Sequence, residues 1–172
     1  MKNKLLWIVF LCSMIPIIEL RGAIPVGAGL SSIDWVADIF NLEDGLKLSW
    51  WMNYLVAVIG NMLPVPFILF FIRSILNMMK KGPAFFSKIA NGLENRVQKH
   101  VAKFEKSQYI ALLLFVGIPI PGTGAWTGSL IAALLGMRIK YSLPTIFAGV
   151  ILAGGIMTLA SYGLLGFLKI FI

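Results

Sequence analysis

The chain has 172 residues, of which 59% are hydrophobic and only 13% charged, and its formal net charge is +8. A soluble domain is usually about half apolar and about a quarter charged, so this composition excludes an ordinary water-soluble globular protein. The excess apolar surface requires a non-aqueous solvent, which predicts an integral membrane protein. The single cysteine, Cys12, excludes an intrachain disulfide and gives no support to a thiolate metal site.

The first apolar segment, Leu5–Ile18, is interrupted by Pro16 and followed by a charged stretch rich in proline and glycine. Two lysines precede it, as they would in a signal peptide. No small-residue cleavage site follows, however, because Glu19 and Arg21 occupy that region. We therefore expect this segment to stay in the protein as a broken membrane segment.

Further along, two uncharged segments are long enough to cross a bilayer, Trp50–Ile72 and Leu143–Leu168. At about 1.5 Å per residue, each would cover a hydrocarbon core of about 30 Å. Between them lies a second broken segment. The apolar run Tyr109–Ile118 meets the turn residues Pro119–Gly124 and resumes as Ala125–Met137.

This order predicts a single membrane domain built from two architectural repeats. The first repeat covers residues 1–72, a basic linker covers 73–108, and the second repeat covers 109–172. Paired interrupted segments in corresponding halves are typical of a transporter binding site, and each break would form a re-entrant helical hairpin before a full transmembrane helix. Two ordinary proline-kinked helices are the alternative.

The charges of the linkers predict the orientation. Residues 31–49 contain four acidic residues and one lysine, whereas residues 73–108 contain eight of the 15 basic residues. The positive-inside rule places the basic linker in the cytoplasm and the acidic one outside. Arg138 and Lys140 favour a cytoplasmic end for the second broken segment. The side of the N-terminus stays open, because Lys2 and Lys4 oppose the external entry that inverted symmetry would require.

Within the basic linker, the sequence after Gly82-Pro83 predicts an amphipathic helix. Its apolar stripe consists of residues at helical spacing, namely Ile89, Leu93, Val97, Val101 and Phe104. Its basic flank consists of Lys88, Arg96, Lys99, Lys103 and Lys106. This pattern is typical of a helix that lies on the membrane and contacts anionic lipid headgroups. A helix packed against a partner subunit is the alternative.

Glu19 and Arg21 are charges within an otherwise apolar stretch, which makes them candidates for a functional site. Two positions apart, they would diverge by about 200° on a helix but face the same side on an extended backbone, which Gly22 and Pro25 favour. Glu19 would then be the proton or cation site, and Arg21 its partner or an anion clamp. An ion pair with a purely structural role is the alternative.

The second break contains no charge, but it offers hydroxyls, an indole and exposed backbone to a substrate. The predicted facing pathway consists of Pro119, Pro121, Gly122, Thr123, Gly124, Trp126 and Thr127. A helix beginning near Ala125 would favour an anionic group at its N-terminus. No Gly-Lys-Ser/Thr follows the glycines, so the segment is not a nucleotide-binding loop.

Several small and amide residues of the first long segment share one face about 100° wide. These residues are Asn53, Ala57, Gly60, Asn61 and Pro64. Such a face permits close helix packing and hydrogen bonds across it. We expect Asn53 and Asn61 to serve helix packing or, alternatively, to line the transport pathway.

Two motifs carry a resemblance to a known family. The segments Glu19–Pro25 (ELRGAIP) and Pro119–Gly128 (PIPGTGAWTG) resemble the signature segments of the small multidrug export protein family, and the resemblance extends over nearly the whole chain. The layout is also similar, more distantly, to that of the DedA (VTT-domain) membrane proteins. That second resemblance implies two re-entrant hairpins that meet near the midplane and a proton-coupled movement of lipid phosphates. DedA proteins carry arginines in the second motif, where this chain has Thr123 and Trp126, and this departure counts against a phosphate-lipid substrate.

Together these patterns predict an all-α, multi-pass transporter of the bacterial cytoplasmic (inner) membrane that exports amphipathic small molecules by proton coupling. A DedA-like translocase of polyprenyl-phosphate or another anionic lipid is one alternative, and a non-transporting scaffold that binds anionic lipids is another. A homodimer is compatible with the sequence. We predict no enzyme, because the sequence has no second intramembrane carboxylate, no histidine in an apolar segment and no metal-ligand cluster. Accordingly, no catalytic residue, metal, cofactor or nucleic-acid partner is expected.

Overall fold

The computed structural model describes residues 2–29, 47–81, 105–120 and 122–168. Within these ranges all regular secondary structure is helical, in agreement with the predicted all-α class. The helices are α1 (Lys2–Met14), α2 (Glu19–Gly27), α3 (Trp50–Met62), α4 (Pro64–Lys81), α5 (Glu105–Gly117), α6 (Ala125–Leu134) and α7 (Ile139–Leu168).

Much of the two predicted linkers lies outside the described residues. This applies to the acidic residues between positions 30 and 46 and to the basic residues Lys88, Arg96, Lys99 and Lys103. Lys106 belongs to α5, but its side chain is likewise outside the described part of the chain. The amphipathic helix and its contact with anionic lipid therefore stay predictions.

Two helical segments are long and apolar enough to cross a membrane, Trp50–Ile72 and Ile139–Gly163. They correspond to the two full spans predicted from the sequence. Only 39% and 33% of their most apolar windows are buried, whereas the core helix of a soluble protein would be mostly buried. Large apolar side chains such as Phe67, Phe70 and Phe71 are exposed, which suits contact with lipid rather than water.

The first of these long segments bends where α3 gives way to α4. Proline has no backbone N–H, so Pro64 cannot donate to the carbonyl of Gly60, the residue four positions earlier. Leu63, at the bend, still donates its N–H to the carbonyl of Ile59 at 3.1 Å. The bend therefore leaves one carbonyl of α3 without its usual helical donor.

The first broken segment consists of two short helices that pack against each other. With 13 and 9 residues, α1 and α2 are about 20 Å and about 14 Å long, each shorter than a hydrocarbon core of about 30 Å. Residues 15–18 form the turn between them, and the N–H of Glu19 donates to the carbonyl of Ile15 at 2.9 Å. Two helices that contact each other across a turn of two to five residues commonly form an antiparallel pair.

The second broken segment is built similarly from α5 and α6, which also contact each other. As predicted, its second helix begins at Ala125. It ends at Leu134 rather than Met137, because Gly136 adopts a left-handed φ of 63°. The N–H of Met137 then bonds back to the carbonyl of Ala132 at 3.0 Å, a common way for a helix to end.

The chain divides into two compact units. Unit 1 comprises Met1–Leu63 and Val150–Ile172, and unit 2 comprises Pro64–Gly149. In unit 1, helices α1, α2 and α3 contact one another, and in unit 2, α6 packs against α4 and α5. The units differ from the predicted repeats, because each long apolar segment is divided between them. The repeat boundaries at 72 and 109 stay a prediction.

Candidate functional site

The small and amide face of α3 is buried, as its spacing predicts. Asn53 and Asn61 expose 0% and 1% of their surface, although a carboxamide is costly to remove from water. Gly60 lies directly against α1, where an added Cβ would overlap Ser13 Oγ and approach the carbonyl oxygen of Phe10 to 2.6 Å. Helices α1 and α3 are therefore in backbone contact at this end of α3.

At the other end of α3, Asn53 joins three parts of unit 1. Its Nδ2 donates to the carbonyl of Ile24 in α2 at 2.7 Å and to the hydroxyl of Tyr162 in α7 at 3.1 Å. The Tyr162 hydroxyl in turn donates to the carbonyl of Leu48 at 2.9 Å. A Cβ added to Gly27 would overlap Asn53 Oδ1, so α2 approaches α3 closely here. Tyr162 was not predicted as part of this face, because it is distant in sequence.

Glu19 is the first residue of α2, and only 6% of its surface is exposed. Its φ is 49°, in the left-handed region that costs a residue other than glycine about 1–2 kcal/mol. A buried carboxylate on a strained backbone is the type of outlier that justifies a hypothesis of function.

Arg21 lies two residues further on, in the first turn of α2, and is partly exposed. It is close enough to Glu19 for the two charges to attract each other. The extended backbone predicted for this pair is wrong, because residues 19–27 are helical. Gly22 and Pro25 lie inside the same helix, and Pro25 cannot donate to the carbonyl of Arg21.

In the second break, the predicted pathway residues mainly organise their own turn. Gly122 is exposed and has a left-handed φ of 83°. The hydroxyl of Thr123 lies within hydrogen-bond distance of the carbonyls of Ile118 (3.1 Å) and Ile120 (2.9 Å). These contacts tie the turn to the end of α5.

At the start of α6, the hydroxyl of Thr127 donates to the carbonyl of Gly124 at 3.4 Å, and Gly124 itself is buried. Trp126 and Pro119 are partly exposed, so both present surface that a substrate could contact. Pro121 lies outside the described residues. Glu19 and Arg21 belong to unit 1 and this segment to unit 2, so a pathway shared by the two stays a prediction.

Unit 2 also has an open apolar cavity of about 590 Å³ along α4. It is lined by Pro66, Phe67, Ile68, Phe70, Phe71 and Ser74. None of these residues belongs to the predicted site. Among the described residues, no group of three or more His, Cys, Asp and Glu could hold a metal ion.

Comparison with known proteins gives one match. The model of a family described as "Putative small multi-drug export protein" matches residues 19–156. This range includes α2 of the first broken segment, the whole second broken segment and most of both long apolar helices. No curated protein and no solved structure matches the chain. The family match and the two apolar helices together indicate a membrane protein.

Proposed function

Since the chain belongs to the family of small multi-drug export proteins, we propose that it exports amphipathic small molecules in exchange for protons. Glu19 is the proton site of this proposal, and Arg21 is its partner. The broken segment around Gly122 contributes further residues to the proposed substrate pathway. The bacterial cytoplasmic membrane is its proposed location, with the basic linker on the cytoplasmic side.

The observation that carries the proposal is the burial of Glu19 beside Arg21. A carboxylate removed from water favours its neutral form, whereas a neighbouring guanidinium favours the charged form. A transport cycle that alternately strengthens and weakens this contact would load and release a proton. The strained φ of Glu19 supports such a role, since residues with a strained backbone cluster at active sites, ligand-binding sites and switch regions.

Matching features in the two breaks support the proposed twofold repeat. Helices α1 and α5 each have 13 residues and are each followed by Ile-Pro-Ile, at residues 15–17 and 118–120. Glu19 and Gly122 are each the fifth residue after the preceding helix, and both have a left-handed φ. Corresponding breaks of this kind flank the substrate site in many transporters, where unwound ends line a cavity.

The test is transport by the purified protein in sealed vesicles with an imposed pH gradient and ethidium as the probe. We expect ethidium movement with accompanying proton flux, and Glu19→Gln should reduce that flux to the level of protein-free vesicles. Lys47→Gln is the matched control, because it neutralises an exposed charge outside the site and should leave transport unchanged. Ethidium movement without proton flux, or normal flux in Glu19→Gln, would contradict the proposal.

A translocase of anionic lipid remains the second candidate, because Arg21 is partly exposed and a guanidinium suits a phosphate. A change in the headgroup accessibility of labelled polyprenyl phosphate in the same vesicles would distinguish the translocase from the exporter.

A membrane scaffold differs from both the exporter and the translocase. It would tolerate Glu19→Gln and Arg21→Ala but fail when Lys99, Lys103 and Lys106 are neutralised.

A further inference from the structure

Asn61 is a buried carboxamide for which the described residues supply no hydrogen-bond partner. Only 1% of its surface is exposed, and neither Oδ1 nor Nδ2 has a partner in the part of the chain that the structure describes. A buried polar group that is left unpaired is unfavourable and needs an explanation, such as a bound ligand. Leucine would fill a similar volume in this apolar helix without that penalty.

Further oxygen atoms lie on or against the preceding residue, Gly60. The carbonyl of Gly60 lacks its helical donor because residue 64 is proline. Gly60 also lies against Ser13, a fully buried residue whose hydroxyl donates to the carbonyl of Phe10 at 2.7 Å and keeps its lone pairs. These atoms lie near the C-terminal end of α1, where the helix dipole favours positive charge.

The packing of unit 1 places Glu19 at the same level. The C-terminal end of α2 contacts Asn53, since a Cβ on Gly27 would overlap its side chain. Going back from Gly27 to Glu19 spans eight residues, and going forward from Asn53 to Asn61 also spans eight, about 12 Å in each helix. The end of α1 lies beside Gly60, and only four residues separate α1 from Glu19, so α2 begins at the Asn61 end of α3.

We propose that Asn61, the carbonyl of Gly60 and Glu19 bind a small monovalent cation. The cation is either Na⁺ or the ammonium group of a transported amine, and in this respect the inference rests on the proposed function. One carboxylate among neutral oxygens suits a cation with a single positive charge. A second positive charge on the cation would stay uncompensated away from water. Carbonyls at broken helix ends bind such ions in other transporters. When the cation leaves, Arg21, which is partly exposed, replaces it as the partner of Glu19, so the carboxylate faces one positive charge at a time.

The first experiment measures thermal unfolding of the full-length protein in detergent, in NaCl and in choline chloride at equal ionic strength. A ligand that binds only the folded state raises the Tm, by about 3–6 °C at about a tenfold excess over its Kd. Asn61→Leu should abolish this shift and raise the Tm in choline chloride, because it removes the unpaired amide. Benzylammonium chloride in place of NaCl distinguishes an amine from the inorganic ion.

Two further variants keep the test decisive. Asn61→Asp, which adds a carboxylate, should enlarge the increase in Tm that the cation causes. This variant replaces Asn61→Leu in the test if the leucine variant does not fold. Thr158→Val is the control, because it also removes a buried oxygen that has no hydrogen-bond partner among the described residues. Within α7, Thr158 lies between Gly154, which faces Tyr54, and Tyr162, which bonds Asn53. It is therefore near the end of α3 that is opposite to Asn61.

The outcomes separate this inference from the proposed function. An equal shift in wild type and Asn61→Leu, or no shift with either cation in wild type, overturns the cation site. Transport of ethidium would then still support the exporter. Conversely, a shift that depends on Asn61 in a protein that moves no substrate would retain the site and reject the exporter.

Discussion

At the residue scale, the two broken segments each contain a residue with a left-handed φ, and the conformational energy of these two residues differs. Gly122 adopts a φ of 83° freely, whereas Glu19 adopts 49° against the preference of a side chain. An added Cβ on Gly122 meets no described heavy atom within 4 Å, so Gly122→Ala isolates the backbone effect. We expect it to reduce the free energy of unfolding by about 1 kcal/mol, or about 2–4 °C in Tm, measured by thermal unfolding in detergent.

The control for this variant is Gly155→Ala. Gly155 lies within α7 and has no left-handed φ, and its added Cβ would likewise meet no described heavy atom within 4 Å. In a helix, alanine is favoured over glycine by about 0.5–1 kcal/mol, so this variant should be at least as stable as wild type. If the two variants have equal stability, the left-handed conformation of Gly122 is wrong.

At the scale of elements, the hydroxyl of Tyr162 joins α7 to the start of α3. It donates to the carbonyl of Leu48, which lies outside any helix, so Tyr162→Phe leaves that carbonyl without this donor. Removing one partner of a buried hydrogen bond usually costs about 1 kcal/mol, with a further contribution here from Asn53. We expect a lower Tm in thermal unfolding and no direct effect on the chemistry at Glu19.

Tyr54→Phe is the matched control for Tyr162→Phe. The Tyr54 hydroxyl donates at 3.2 Å to the carbonyl of Ile151, which lies inside α7 and therefore has a helical donor already. Its removal should cost less than that of the Tyr162 hydroxyl. A larger loss of stability in Tyr54→Phe would contradict the role assigned to Tyr162.

The helices could largely be predicted from the sequence, because apolar length and interruptions by proline and glycine are local signals. The start of α6 at Ala125 and the buried amide face of α3 follow from such signals. Helix α2 could not be predicted, because Glu19–Pro25 contains glycine and proline, and both disfavour a helix interior. The bond between Asn53 and Tyr162 joins residues 109 positions apart, which no local pattern encodes.

At the scale of the whole molecule, composition predicts a membrane protein, and the exposed apolar surface of both long helices supports that class. The division into two compact units does not follow from the sequence. Each long apolar segment begins in one unit and ends in the other, with boundaries after Leu63 and after Gly149. Hydropathy reports the length of such a segment but not which neighbours each half contacts, so sequential repeats were the simpler prediction.

The orientation of the whole molecule leads to the last prediction, which a Cys12→Ala background makes testable with single cysteines. Lys47 precedes the first span on the predicted outer side, whereas Arg138 precedes the second on the cytoplasmic side, and both side chains are exposed. A membrane-impermeant maleimide should therefore label Lys47→Cys in intact cells and Arg138→Cys only in inverted vesicles. The wild-type protein should stay unlabelled in both, because Cys12 is buried. Labelling of both variants from the same side would mean that residues 47–138 cross the membrane an even number of times, and the positive-inside assignment would fail.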